Sequence, residues 1–147
     1  MNSSEAEKLF SKGLEFLSEG NTLSALSFFE KSLNIKDNPS VWSYYAFCIA
    51  KERGQITKSI SLCVDAIKKQ PDNSSHYLNL GRIYLFINNK KDAITIFREG
   101  LNQQSNQQII EELNRLMTRK PPVIRFLDRN NPINKYLGRL FKALGLR

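Results

Sequence analysis

A chain of 147 residues with 41% hydrophobic and 24% charged residues suits a single folded domain and excludes a disordered one. Cys48 and Cys63 lack CxxC spacing and His76 is the single histidine, so a structural zinc site has too few ligands and the two thiols are expected reduced and buried. The net charge of +8 is uneven, because 14 Lys and Arg face 13 Asp and Glu through Thr118, whereas eight face one from Arg119 onward.

The opening residues MNSSEAEKLF carry acidic charge and lead into no apolar run, so neither a secretory signal nor a transit peptide is expected. The longest apolar stretch, Tyr44 to Ala50, is about a third of the ~20 residues that cross a bilayer. A soluble, cytoplasmic protein is the resulting expectation.

In chain order, Ser4 and Glu7 have the spacing of a capping box at the start of a first helix containing LFSKGLEF. Gly20-Asn21 suits a turn into a second helix with ALSFFEKSL, and Asn38-Pro39 suits an N-cap with proline in the first turn of a third, WSYYAFCI. A turn near Arg53-Gly54, one residue longer than the others, leads to SISLCVDAI and then Pro71. The next pair is YLNLGRIY, an Asn88-Asn89 turn and AITIFREGL. Ser105 and Gln108 repeat the capping-box spacing before an amphipathic helix from Asn106, with Ile109, Ile110, Leu113, Leu116 and Met117 at helical intervals.

Ala25, Ser59 and Ala93 recur at a spacing of 34, as do Phe29, Cys63 and Phe97. Each copy is preceded by a second helical segment that begins with a bulky residue and has a small one four positions later. The third copy carries Tyr77, Leu80, Gly81, Tyr84, Ala93 and Phe97; the second carries Trp42, Tyr45, Ala46, Ile49, Ser59, Cys63, Ala66 and Pro71; the first carries Leu9, Gly13, Phe16, Ala25 and Phe29. This pattern resembles the tetratricopeptide repeat (TPR). The departures are the longer turn of the second copy, a late Pro39 in the first, and Ser105 in place of the third closing proline.

The expected architecture is all-α: an α-solenoid of three TPR helical hairpins at about 6–39, 40–73 and 74–105, closed by a covering helix at 106–118. Residues 1–118 then form a TPR domain, and 119–147 a basic tail.

No nucleophile–base pair, phosphate loop or metal motif stands out, so no catalytic residue, cofactor or metal is expected and the chain is taken as non-enzymatic. Glu111-Glu112 point about 100° apart on a helix and suit a solvated surface; His76 suits packing, capping or the surface. The TPR resemblance implies a concave groove lined by first helices, here by Phe10, Leu14 and Leu17, by Tyr44 and Phe47, and by Leu78, Arg82 and Leu85. Some of these are also candidates for packing against neighbouring helices. TPR partners of heat-shock chaperones grip acidic peptide termini with Lys, Asn and Arg. The corresponding places here hold Phe10, Leu14, Tyr44, Ser75 and Asn79, so no such clamp and a mainly apolar ligand surface are expected.

In the tail, Lys120 to Asn130 is proline-led and expected extended. Asn131-Pro132 then reads as N-cap and first position of an amphipathic helix over about 132–145. Its apolar side is Ile133, Tyr136, Leu137, Leu140, Phe141 and Leu144, opposite Asn134, Lys135, Arg139 and Lys142. It has three readings: docking on its own solenoid or a second copy, binding another protein or an anionic membrane, or contacting nucleic acid. The function expected is a protein-binding adaptor or scaffold that holds a peptide or helix, with a membrane-peripheral or nucleic-acid-associated factor acting through the tail as the alternative.

Overall fold

The computed structural model describes residues 2–118 and 132–145, except the side chain of residue 134. Among them are eight helices and no strand: α1 Asn2–Ser18, α2 Thr22–Ile35, α3 Pro39–Arg53, α4 Ile56–Lys69, α5 Ser74–Phe86, α6 Lys90–Gln103, α7 Gln107–Met117 and α8 Pro132–Ala143. The proline-led segment and the proposed Asn131 cap lie outside the described residues. The chain divides into two compact units, Met1–Leu116 and Met117–Arg147.

In the first unit, α1/α2, α3/α4 and α5/α6 form three hairpins, and the turn chemistry explains where each bends. Gly20 and Asn88 adopt left-handed φ of 78° and 61°, a conformation that lets the chain reverse within a few residues. Gly54 does the same at φ 65° in the longer second turn, closing α3 with its N–H on the carbonyls of Ile49 and Ala50. Asn21 and Asn89 then cap α2 and α6 by accepting from Ser24 N and Asp92 N, at 3.0 and 3.2 Å. Gln55, at the same place in the second hairpin, makes no side-chain cap. Asn38 and Asn73 cap α3 and α5 in the same way.

Two caps differ from the sequence expectation. Helix α1 already begins at Asn2, which puts Ser4 inside it rather than at a capping box. At α7 the cap is Asn106, whose Oδ1 accepts from Ile109 N at 3.2 Å, not Ser105. Both asparagine and serine cap helices well, so their adjacency in the sequence left the choice to the geometry of the preceding turn.

Small residues inside the hairpins set how closely helices approach. Gly13 lies under the Phe29 ring and Gly81 under that of Phe97, while the second hairpin pairs Ala46 with Cys63, all buried. Burial pushes the Cys63 thiol well above its ordinary pKa, and that of Cys48 up to about 12, so both stay protonated hydrophobes. Helix α7 seals the third hairpin, with Ile109 and Leu113 packed on Tyr77, Leu78 and Phe97.

Candidate functional site

First helices present the open side of the solenoid. Leu14, Leu17 and Ser18 of α1, Tyr44 of α3, Arg82 of α5 and Gln108 of α7 line one hollow of about 360 Å³. A second, of about 350 Å³, is lined by Phe47 and Lys51 of α3, by Arg82, Leu85 and Phe86 of α5, and by Glu112 and Arg115 of α7. Arg82 borders both, so the two form parts of one groove running across four helices.

The charge in this groove is organised around a buried acid. Glu112 is 7% exposed and receives Arg82 Nε at 3.2 Å and Arg115 Nη2 at 2.6 Å. Two cations around one carboxylate, with Lys51 beside them, leave this end of the groove positive. Phe86, 49% exposed, gives it an apolar wall in contact with water.

The expected groove residues separate into two groups. Leu14, Leu17, Tyr44, Phe47, Arg82 and Leu85 line the hollows. Phe10 is half-buried, its ring 5.9 Å from Phe29 and 5.6 Å from Tyr44, so it also supports the hairpin core. Leu78 is a correction: at 1% exposure it belongs to the core, because α7 packs Ile109 and Leu113 over it. Of the tail helix residues, Ile133, Tyr136, Leu140 and Leu144 are exposed and Leu137 and Phe141 half-buried.

Asn79, the one clamp position with a suitable side chain, is fully buried and donates through Nδ2 to Ser43 Oγ at 3.1 Å. Ser43 Oγ lies 2.8 Å from His76 Nδ1, and His76 Nε2 lies 2.9 Å from Gln70 Oε1. With the amide oxygen of Gln70 as acceptor, Nε2 carries the proton and Nδ1 accepts from the Ser43 hydroxyl. A serine beside an imidazole has the makings of a nucleophile and base, but both are fully buried, and the cluster ties α3 to α5. Burial lowers the His76 pKa to about 4, which keeps the ring neutral. Among the described residues no three His, Cys, Asp or Glu side chains come together to hold a metal ion.

Lys51, Phe86 and Arg115 were missed by sequence reasoning, and Glu112, expected on a solvated surface, is instead buried because it is paired with Arg82 and Arg115. Arg115 sits about one repeat beyond Arg82, so extending the repeat register into the covering helix would have found it.

Residues 62–96 match the family described as tetratricopeptide repeat. The Arabidopsis OM64 TPR domain matches the structure with a TM-score of 0.61 at 19% identity, over 80% of this chain and 98% of that one. The chain shares the fold of solved TPR domains, and residues 62–96 carry the repeat's sequence pattern. The Sgt2 TPR domain from Aspergillus fumigatus matches with a TM-score of 0.57 at 22% identity, over 88% of this chain and 93% of that one. The second TPR domain of human RPAP3, in complex with the HSP70 peptide SGPTIEEVD, matches with a TM-score of 0.58 at 18% identity, over 81% and 100%. Comparison with curated protein sequences gave no match. In this TPR-like fold, α1, α3 and α5 are the first helices of the hairpins and α7 is the helix that covers the last of them.

Proposed function

We propose that this protein is a non-enzymatic adaptor that holds a peptide or helix of another protein in the groove of residues 1–118, with 119–147 as a separate basic tail. The observation that carries it is the continuity of the two hollows across α1, α3, α5 and α7, with Tyr44, Phe47, Leu85 and Phe86 offering apolar contact. Grooves of this shape suit an extended segment or an amphipathic helix. The RPAP3 domain's peptide complex supports peptide binding as the use of such a groove.

The ligand differs in chemistry from an acidic terminus held by a clamp. Phe10, Leu14 and Tyr44 stand at clamp positions, and Asn79 is buried. Bulky apolar side chains are therefore the anchors, with an acidic group placed near Lys51, Arg82 and Arg115. Two buried free thiols, Cys48 and Cys63, support a reducing compartment such as the cytoplasm.

Selection from a random peptide library, followed by hydrogen exchange with the selected peptides, tests the reading. Protection is expected along α1, α3 and α5, and Phe47→Asp with Phe86→Asp should abolish it. Selected peptides that protect another surface, or that bind the double variant equally well, would remove the groove from the proposal.

A further inference from the structure

We infer that α8 is a second, independent binding element, one that lies on an anionic phospholipid surface. Two features point to lipid.

The first is the geometry of the helix. At 100° per residue its six large apolar side chains fall within an arc of about 140°, while Lys135, Arg139 and Lys142 cluster around the opposite side. Tyr136 and Leu144 are 68% and 61% exposed, and Leu140 is 39% exposed, a concentration of apolar surface unlike any other helix of the chain among the described residues. A helix lying in the interface buries such an arc among acyl chains while its long cationic side chains reach the headgroups.

The second feature is charge. Helix α8 carries no acidic residue, and eight cations face a single acid from Arg119 onward, so apolar burial and electrostatic attraction act together. A single weak signal holds a peripheral protein poorly, and two together hold it well. Lys51, Arg82 and Arg115 at one end of the repeat groove carry the same sign as α8. At 12 residues α8 is too short to span, and no helix among the described residues is long and apolar enough to cross a membrane.

The lipid-binding surface would thus be a helix at one end of the chain, and the peptide-binding surface the groove of the repeats. A groove ligand would then be carried to the membrane rather than competing with it.

Co-sedimentation of the full chain with vesicles tests this. Vesicles of phosphatidylcholine containing phosphatidylserine should bind at low salt roughly a hundredfold better than phosphatidylcholine alone, because about three cations sit within reach of the surface. High salt should erase most of that difference. Leu140→Glu with Leu144→Glu should abolish sedimentation, and Lys135→Glu with Lys142→Glu should abolish the preference for phosphatidylserine; circular dichroism confirms that both variants remain folded. No binding to anionic vesicles at low salt overturns the inference. So does binding that survives Leu140→Glu with Leu144→Glu, or retention on RNA with none on vesicles. Because every readout concerns lipid or α8, failure here leaves the groove proposal standing, and failure of the groove experiment leaves this one.

Discussion

Gly81 of α5 lies so close beneath Phe97 of α6 that a Cβ added there would sit 2.6 Å from the ring's Cδ1. The same contact recurs between Gly13 and Phe29, again at 2.6 Å to Cδ1. In the second hairpin, where the large ring is replaced by Cys63, the glycine is replaced by Ala46. A large ring at this crossing thus goes with glycine opposite it, and a small thiol leaves room for the alanine methyl. Alanine is the better helix former by ~1 kcal/mol, yet Gly81→Ala should destabilise by about 1–3 kcal/mol through overpacking. Adding Phe97→Cys, the pairing used by the second hairpin, should make the double variant more stable than the sum of the single effects. Urea denaturation of the four proteins measures the coupling; additive effects would break the argument.

Ala93 makes the complementary case without a partner to relieve it. It is fully buried where α6 crosses α5, so Ala93→Leu should cost about 1–3 kcal/mol, read as a lowered urea midpoint with unchanged slope.

The His76 cluster gives the fold a pH dependence of known sign. In the folded chain the His76 pKa is lowered to about 4 by burial, against an ordinary 6.5 when unfolded. The unfolded state therefore binds a proton first. Stability is fully present above about pH 6.5 and falls as pH drops from there toward 4, by no more than ~3 kcal/mol. His76→Gln removes the titrating group, so the difference in stability between variant and parent should shrink across that window. A constant difference from pH 7 to 4 would mean that the imidazole is not held neutral.

Much of this fold was legible because a 34-residue period repeats contacts as well as residue types. Ser40 bonds Gln70 at 3.1 Å and Ser74 bonds Gln104 at 3.2 Å, each pair spanning 30 residues and each member one period from its counterpart. Turns at Gly20, Gly54 and Asn88 were equally readable, since residues that accept positive φ mark themselves. The N-terminal limits of α1 and α7 were not: α1 already includes Asn2, and at α7 the cap is Asn106 rather than the adjacent Ser105. In the groove, Leu78 and Glu112 were both expected at the surface and are buried, for one reason. Both depend on where α7 packs, and the repeat register had not been carried into that helix.

Glu112 is the acid on which the positive end of the groove is organised. Glu112→Ala leaves the partly buried Arg82 without its carboxylate and should destabilise by about 1–3 kcal/mol. Arg115→Ala, whose partner bond is made by a side chain 72% exposed, should cost less than about 1 kcal/mol. Thermal melts of the two variants test the ranking, and equal losses would show that Arg82 is satisfied some other way.

Two truncations separate the covering helix from the tail. Helix α7 buries Ile109 completely and nearly all of Leu113, and it covers Tyr77 and Leu78 of the last repeat. Gly100 belongs to the same contact, since a Cβ there would lie 2.6 Å from that of Tyr77 and 2.9 Å from Ile109 Cδ1. A chain ending at Gln104 leaves this surface in water, at about 1.5–3 kcal/mol for each large side chain fully exposed. It should lose its cooperative thermal transition or aggregate. A chain ending at Thr118 keeps α7 with its Asn106 cap and its Arg82–Glu112 pair, and should retain a helical spectrum and a cooperative transition. The same chain should still bind groove peptides and should no longer sediment with anionic vesicles. If it instead melts without cooperativity, residues 119–147 are part of the folding unit, and the division at 118 is wrong.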